Sequence, residues 1–591
     1  MRHGSWGTGS VIRQRMRFRS VHARIRLLVW VLTGALLCTL GRAAYLQIAL
    51  APKFATLARR QHELYLTLPP LRGTIYDRQH RPLAMTVWAD SVAADPRHMD
   101  HATKVTVTEA LTRTLHLEAA FVQERLGRDK AFVWIKRQLA NDEALRLRAL
   151  ELPWVYLVKE PKRLYPAGTL ASHVMGYVGV DHNGLEGIEA HYDPFVAGER
   201  GFQRIYRDGR GRVLYHHVLA YEPPRDGYEL TLTIDAVIQA IAEEALDAAY
   251  RRWKAQGGSV IVLDPRTGAV LALANRPTFD ANAPADLAPD VRRNRAVTDL
   301  MEPGSVFKAV VAGALLEAQR VTPDDRFFCE QGEWRTVGRR ILHDVKPHGW
   351  LTFREVVAMS SNIGMVKAAQ RLEPPQLYHA IRRFGFGSPT AIDLPGEVAG
   401  IVHPPSQWSR LSPFAIPIGQ EVGVTAMQVA VAMSAIANGG LVLQPHVVQA
   451  ITTREGTRIE TRGTRFSGRA LSTEVAAQLR ELLIGVIERG SGKAAKVRDF
   501  LAGGKTGTSQ KIETDGRYSH RKFIASFAGF VPAEDPALVI VVTLDEPRPL
   551  YYGGVVAAPV FRQIAEAALQ YLGASPIKAP SEPQFVKRPT S

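Results

Sequence analysis

Hydrophobic and polar positions along this chain change period several times, and each change marks a different kind of element. From Leu27 to Gly41 apolar residues run almost unbroken; Arg42 interrupts them before Ala43 to Pro52 resumes the run. A bilayer span needs ~20 apolar residues. Leu27 to Ile48 supplies that length if Arg42 snorkels to the far interface. From residue 53 to about 225 the pattern shifts to short β-like alternations separated by polar turns, closing at the turn-rich Tyr221-Glu222-Pro223-Pro224-Arg225-Asp226-Gly227. Beyond it the periodicities predict a strand (Tyr228 to Ile234), a helix (Ala236 to Trp253) and a strand pair (Ser259 to Leu263, Ala269 to Ala274). Helical spacing dominates from Ser305 to about Gly440. Strands return at Phe523 to Phe530 and Ala537 to Leu544, followed by a helix from Pro559 to Leu572. A sheet assembled from both ends of the segment, with helices between, is an α/β arrangement. The tail from Pro576, rich in Pro, Ser and Lys, reads as disordered.

These shifts divide the chain into a basic leader (1–26), a transmembrane anchor (27–48), a region of short β-like runs (53–225), an α/β region (228–575) and the tail (576–591). With 591 residues, more than one core is expected. The net charge of +17 raises the possibility of nucleic-acid binding, but the charge is not gathered into an aromatic-interleaved patch. Seven arginines and no acidic residue fall between Met1 and Arg26, which predicts a cytoplasmic N-terminus. The remaining positive charge is spread and suits anionic envelope polymers or lipid headgroups. A cleaved signal peptide ending near Gly41-Arg42-Ala43-Ala44 is the rival reading of the apolar run. Arginine at that place and apolar residues continuing to Leu50 favour an uncleaved single-pass anchor. Cys38, in the apolar run, and Cys329 are not expected to meet, so no disulfide framework follows.

Candidate chemistry sits in three short motifs. Ser305 and Lys308, in Glu-Pro-Gly-Ser-Val-Phe-Lys, follow a Pro-Gly turn signal and open an apolar helical run, Val306 to Leu316. At i and i+3 a hydroxyl and an amine share one helical face. A serine hydroxyl needs an adjacent base to attack at pH 7. A desolvated lysine can supply one, because burial lowers an amine's pKa. Taken alone, the pair reads as a helix cap and a solvated lysine. Ser360-Ser361-Asn362 lies between two apolar helical runs and could project a hydroxyl and an amide from an inter-helix turn; its bland reading is an N-cap pair. Lys505-Thr506-Gly507-Thr508 follows Gly503-Gly504 and could pair with the Phe523 to Phe530 strand. A strand carrying a lysine and two threonines suits an anionic ligand laid along its edge. Gly507 is expected to let the ligand's backbone approach. The bland reading is an edge strand with a solvated lysine.

Ser-x-x-Lys, Ser-x-Asn and Lys-Thr-Gly in this order resemble the signature of penicillin-binding proteins and class A β-lactamases. The chain resembles most closely the class B penicillin-binding proteins, in particular the septal FtsI-type (penicillin-binding protein 3-like) peptidoglycan D,D-transpeptidases. Arg72-Gly73-Thr74-Ile75-Tyr76-Asp77-Arg78 with Arg81-Pro82-Leu83-Ala84, Arg163-Leu164-Tyr165-Pro166 and Gly184-Leu185-Glu186-Gly187-Ile188-Glu189 are similar to motifs of that family's non-catalytic region. Asp264-Pro265-Arg266-Thr267-Gly268, Asn294-Arg295-Ala296 and Tyr551-Tyr552-Gly553-Gly554 are similar to its catalytic domain. The resemblance spans roughly residues 25 to 570.

What it implies is a membrane-anchored, non-catalytic α+β pedestal carrying an α/β transpeptidase domain of the serine β-lactamase type. Ser305 would attack a D-Ala-D-Ala carbonyl, with Lys308 as base, Ser360 as proton relay and Asn362 holding the donor peptide and Lys308. Lys505, Thr506 and Thr508 would bind the terminal carboxylate, and the backbone N–H groups of Ser305 and Thr508 would form the oxyanion hole. Of the charged motifs in the pedestal, most are expected to be internal ion pairs rather than partner contacts. Partners implied are peptidoglycan stem peptides, β-lactam antibiotics, an FtsW-type glycosyltransferase and other divisome membrane proteins. The location implied is the bacterial inner membrane at the septum, with the catalytic domain periplasmic. No metal cluster, phosphate loop or Rossmann fingerprint offers a cofactor site, and acyl transfer needs none. Competing readings are a serine β-lactamase, disfavoured by the anchor and pedestal, a D,D-carboxypeptidase, an elongation-type class B enzyme and a non-enzymatic penicillin sensor. Asn362, where the elongation branch usually carries aspartate, favours the septal type.

Overall fold

The computed structural model describes residues 10–207, 213–283, 288–336, 341–513 and 515–575. The first nine residues of the basic leader and the tail from 576 lie outside the described residues. The chain divides into two compact units, Met1–Pro69 with Arg200–Pro224, and Pro70–Glu199 with Arg225–Ser591.

In the first unit a helix covers Ser10–Ala44 and passes into a π-helical turn, Tyr45–Ala49. Val21–Ala49 is the one helix among the described residues long and apolar enough to cross a membrane, 29 residues with 0% of its apolar window buried. A second helix, Ala51–His62, leads into a three-stranded antiparallel sheet of Glu63–Leu68, Gly201–Arg207 and Val213–Glu222.

The second unit is built on two sheets. Its five-stranded antiparallel sheet consists of β1 (Gly257–Leu263), β2 (Val270–Arg276), β3 (Gly503–Ile512), β4 (Tyr518–Val531) and β5 (Leu538–Asp545), in the order β2-β1-β5-β4-β3. The strands therefore come from both ends of the segment, as the periodicities predict. Alternation splits the core: Val260, Val262, Ile540 and Val542 face α1 (Ala236–Arg252) and α7 (Ala558–Tyr571). Ile261, Leu263, Val539 and Val541 face the opposite core. There lie α2 (Lys308–Glu317), α3 (Phe353–Met359), α4 (Asn362–Ala369), α5 (Ala426–Ala437) and α6 (Thr473–Glu488). All twelve residues of α5 are buried, which explains its lack of a polar stripe: it is apolar all round because it is packed all round. Strand β3 forms an edge of the sheet.

The other sheet is mixed, running from Arg458–Thr461 through Val448–Thr452, Glu229–Leu232 and Ile75–Tyr76 to Pro82–Ala94, which also pairs with Val133–Lys136 and Val155–Leu164. It is continuous across the turn-rich stretch at 221–227, so Pro70–Glu199 folds as one body with the segment that follows. The sequence pattern here suggests mainly strands, yet His101–Leu115, Ala119–Leu126 and Asn141–Arg148 are helices, burying Val107, Leu111, Val122 and Leu147.

Three motif residues from distant parts of this region meet in one buried ion cluster. Glu189, fully buried, accepts from Arg72 Nε at 2.6 Å and from Arg163 Nε at 2.6 Å. Arg72 also donates to Asp193 at 2.6 Å and to the Glu189 carbonyl at 2.6 Å. Burial pushes the Glu189 carboxyl up, but Arg163 and Arg72 outweigh it and hold it below the usual carboxylate range. Asp77, also buried, accepts the backbone N–H groups of Gln79 and Arg81 (both 2.8 Å) and of Ala236 (3.1 Å). Arg72, Asp77, Arg163 and Glu189 are thus internal fasteners, while Arg78 is exposed.

Removing one partner of such a pair leaves an uncompensated buried charge, at a cost of ~3–5 kcal/mol. Glu189→Ala is expected to destabilise the second unit by about that amount in chemical denaturation, strandings of Arg72 and Arg163 being the cause. Because the Glu189 pKa is depressed, its contribution is present above the ordinary carboxylate pKa and is lost as pH falls through the folded value. The wild-type and Glu189→Ala stabilities should therefore converge in acid; a gap independent of pH would contradict the assignment.

Candidate active site

The three motifs converge where α2, the α3–α4 corner and the edge strand β3 meet. Each is placed by a local feature. Gly304, at φ +53°, adopts the left-handed region that glycine tolerates, and its N–H donates to Gly419 O at 3.1 Å. The chain then enters a 3₁₀ turn, Gly304–Phe307, and the α-helix begins only at Lys308. The apolar spacing predicts an α-helix from Ser305 onward; the tighter turn places Ser305 more directly over Lys308, because residues i and i+3 eclipse at three residues per turn. Ser305 is half-buried and Lys308 is fully buried.

At the second motif, α3 ends on Ser360, which stands at φ 61°, ψ 36°. A non-glycine residue held in this region is strained and persists only where its surroundings impose it. Ser361 then caps α4, accepting from Gly364 N at 2.9 Å. Asp344, which the sequence reading did not select, holds this corner from across the fold. Its carboxylate accepts from Ser361 Oγ (2.6 Å), Asn362 N (2.5 Å) and Ile363 N (3.1 Å). Asn362 in turn donates through Nδ2 to His343 O at 2.7 Å.

Two amines meet on one hydroxyl. Lys308 Nζ donates to Ser360 O at 2.7 Å, to Asn362 Oδ1 at 2.6 Å and to Ser360 Oγ at 3.3 Å. Lys505 Nζ donates to the same Ser360 Oγ at 2.8 Å and to Thr506 O at 3.2 Å. Both lysines have 0% of their surface exposed. Burial lowers the Lys308 pKa to about 7, with Asp344 pulling weakly the other way. Burial, and then the charge of Lys308, drive the Lys505 pKa well below its ordinary value. A neutral amine beside a serine hydroxyl is a proton acceptor, and one poised near neutrality works best at physiological pH.

Lys505 faces Ala528, and Gly507 faces Ser526, in the β3–β4 pairing. Thr506 Oγ1 lies 2.9 Å from Ser491 Oγ, and Thr508 Oγ1 accepts from Gly553 N at 3.1 Å. Ser491 is a further polar neighbour of the lysine strand that no sequence pattern singled out. Gly507 also has a packing reason: a Cβ there would come within 2.2 Å of Ser526 Oγ and 2.7 Å of Val306 Cγ2, so glycine lets β3 pack against the turn that carries Ser305. Beside the strand, Phe523 stacks on Tyr551 with ring centroids 3.9 Å apart, and Tyr551 touches Tyr552.

Comparison with known proteins matches residues 258–566 to the penicillin-binding protein transpeptidase domain, and residues 67–232 to the penicillin-binding protein dimerisation domain. Stage V sporulation protein D of Bacillus subtilis is 34% identical over 582 residues, covering 96% of this chain and 89% of that protein. Peptidoglycan D,D-transpeptidase FtsI of Escherichia coli is 30% identical over 571 residues, covering 95% and 94%. The crystal structure of penicillin-binding protein 3 from Mycobacterium tuberculosis, complexed with aztreonam, superimposes with a TM-score of 0.68 at 29% identity, covering 87% of this chain and 99% of that one. With residues 258–566, more than half of the chain, matched to the transpeptidase domain, and relatives of 30% and 34% identity aligned over nearly its whole length, this chain belongs to the penicillin-binding protein transpeptidase family.

Proposed function

We propose that this protein is a peptidoglycan D,D-transpeptidase that cross-links stem peptides through a serine acyl-enzyme, and that it works at the division septum. The observation that carries the chemistry is the convergence on the Ser360 hydroxyl of Lys505 and of Lys308, itself one turn after Ser305 in the chain. Neutral Lys308 takes the Ser305 proton as Ser305 Oγ bonds to the carbonyl carbon between the two terminal D-alanines. The C–N bond then breaks, and Ser360, within reach of both amines, passes a proton to the departing amine. An amine from a second stem peptide attacks the ester, releases Ser305 and completes the cross-link. Asn362, already bonded to Lys308, positions the base and the donor peptide. Lys505, Thr506 and Thr508 receive the terminal carboxylate; the incoming anion restores charge to Lys505 in charge-assisted hydrogen bonds. The N–H groups of Ser305 and Thr508 stabilise the oxyanion. β-Lactams, which carry the same carboxylate and an acylating carbonyl, occupy this site and trap Ser305.

Support for the septal setting is the whole-length similarity to FtsI. The arginine-rich leader supports a cytoplasmic N-terminus and a catalytic unit on the periplasmic side. An FtsW-type glycosyltransferase, supplying the glycan strand, is the partner this setting implies, with the single helix as its membrane contact. The higher identity to a stage V sporulation protein favours a second reading, a transpeptidase confined to one developmental stage.

Mass spectrometry after exposure to a penicillin tests the mechanism: one adduct is expected on Ser305, and none on folded Ser305→Ala. Persistent labelling of that variant would refute the nucleophile.

The rate of acylation should rise about tenfold per pH unit up to about 7 and then level, since Lys308 accepts a proton only when neutral. Asp344→Asn removes the neighbour that favours the Lys308 ammonium, so the midpoint should move to lower pH. The plateau should also fall, roughly 10–100-fold, because the corner carrying Ser360 and Asn362 is loosened. A midpoint that moves upward would contradict the role given to Asp344.

Depletion in the host should give filamentous cells. Round cells would indicate an elongation enzyme, and normal growth with a defect at one stage would favour the developmental reading.

A further inference from the structure

The acyl-transfer site gives no role to Ala51–His62, the helix that follows the membrane span. The span is bracketed by Arg24 and Arg26 on one side and by Arg42 and Tyr45 on the other. The Arg42 guanidinium lies 5.6 Å from the centre of the Tyr45 ring. Arginine and tyrosine are the residue types that anchor a helix at the bilayer interface. Immediately after them regular α-helical bonding stops. Tyr45–Ala49 is π-helical, and Leu50 N donates to Tyr45 O at 3.1 Å. Pro52, without an N–H, cannot continue the preceding helix, and a new one begins at Ala51. Both a π-turn and a proline are recognised causes of a change in helix direction. The break therefore sits where the chain leaves the hydrocarbon.

The new helix is amphipathic. At helical spacing Phe54, Leu57 and Ala58 share one side, with Lys53 at its flank and Thr56 farther round, and the segment also contains Arg59 and Arg60 in sequence. Its residues from Pro52 to Ala58 are all exposed, and Phe54 and Leu57 are each 49% exposed. About half of the Phe54 and Leu57 surface is thus left uncovered by the described residues. Phe and Leu on one side of a helix whose sequence is otherwise basic is a composition that lies in a membrane interface. Only Leu50 separates this helix from the span, so lipid is the apolar phase within its reach.

We propose that Ala51–His62 is an interfacial helix lying along the leaflet on the catalytic side, with Phe54 and Leu57 at the headgroup–acyl boundary and Lys53, at the flank of that stripe, contacting anionic lipid phosphates. The helix then delivers the chain at headgroup level to the strand Glu63–Leu68. The proposal rests on the membrane span at Val21–Ala49 and not on the acyl-transfer chemistry.

The test uses the full chain in lipid nanodiscs, with a nitroxide at position 57 or 56 in a Cys38→Ala background; Cys329 is buried and escapes labelling. Labelled proteins must react with penicillin at the unmodified rate, which checks the fold. Paramagnetic accessibility should show several-fold more oxygen than nickel chelate at Leu57→Cys and the reverse at Thr56→Cys. In nanodiscs containing phosphatidylglycerol the Leu57→Cys label should be deeper than in phosphatidylcholine alone. Water-like accessibility at both positions would overturn the proposal, leaving a free-standing helix. Shielding of both positions from both reagents would also overturn it, in favour of a protein contact. Equal depth in the two lipids would overturn the phosphate contact. A control label at Leu32→Cys that reads as water would overturn the span on which the proposal rests.

Discussion

The constraint on which the catalytic unit depends is the burial of two lysine amines around a single serine hydroxyl. Taking an ammonium out of water is costly unless an opposite charge is supplied. Among the described residues none is in contact: Lys308 and Lys505 find the Ser360 hydroxyl, the Asn362 amide oxygen and two backbone carbonyls. These partners satisfy hydrogen bonds without restoring the charge, so the amines are driven toward their neutral form. A carboxylate in contact would have made a stronger fold and a useless base. The surrounding core supplies the stability that the site gives up: α2 is buried from Lys308 to Leu316, and α5 lies entirely inside.

The non-catalytic region solves the same problem in the opposite way. Arg72 and Arg163 are nearly as deeply buried as the lysines, but both grip Glu189 directly. Guanidinium and carboxylate geometry favour such paired, permanently ionised contacts. The difference in residue type follows the difference in task. A fastener needs a charge that never titrates, and an acid–base group needs one that titrates near the working pH. Asp344 stands between the two cases. It lies close enough to raise the Lys308 pKa slightly, yet its oxygens are committed to Ser361 and to the first N–H groups of α4. It therefore orders the corner without neutralising the base.

Geometry at that corner also explains two features of the site's residues. Ser360 occupies a left-handed conformation that a serine would avoid in isolation, because the C-terminus of α3 and the start of α4 must meet with the hydroxyl turned toward both amines. Gly507 lacks a side chain where Ser526 and Val306 occupy the space a Cβ would take, so β3 can pack against the turn that carries Ser305.

Much was legible in the residues alone, and most of it is local. The apolar length of Leu27 to Ile48, the one-turn spacing of Ser305 and Lys308 and the alternation in β4 each express a period that neighbouring residues impose on one another. What tertiary structure decided are the contacts between segments far apart in the chain. Lys308 and Ser360 are 52 residues apart, and Ser360 and Lys505 are 145 apart. No periodicity encodes that Asp344 would hold the Ser361 corner or that Ser491 would meet Thr506. Nor does any pattern show that Glu189 would be shared by arginines 117 and 26 residues away. The pKa of Lys308 is the clearest instance: its amine is an ordinary one by sequence, and only complete burial, with no acid in contact, makes it a base near neutrality.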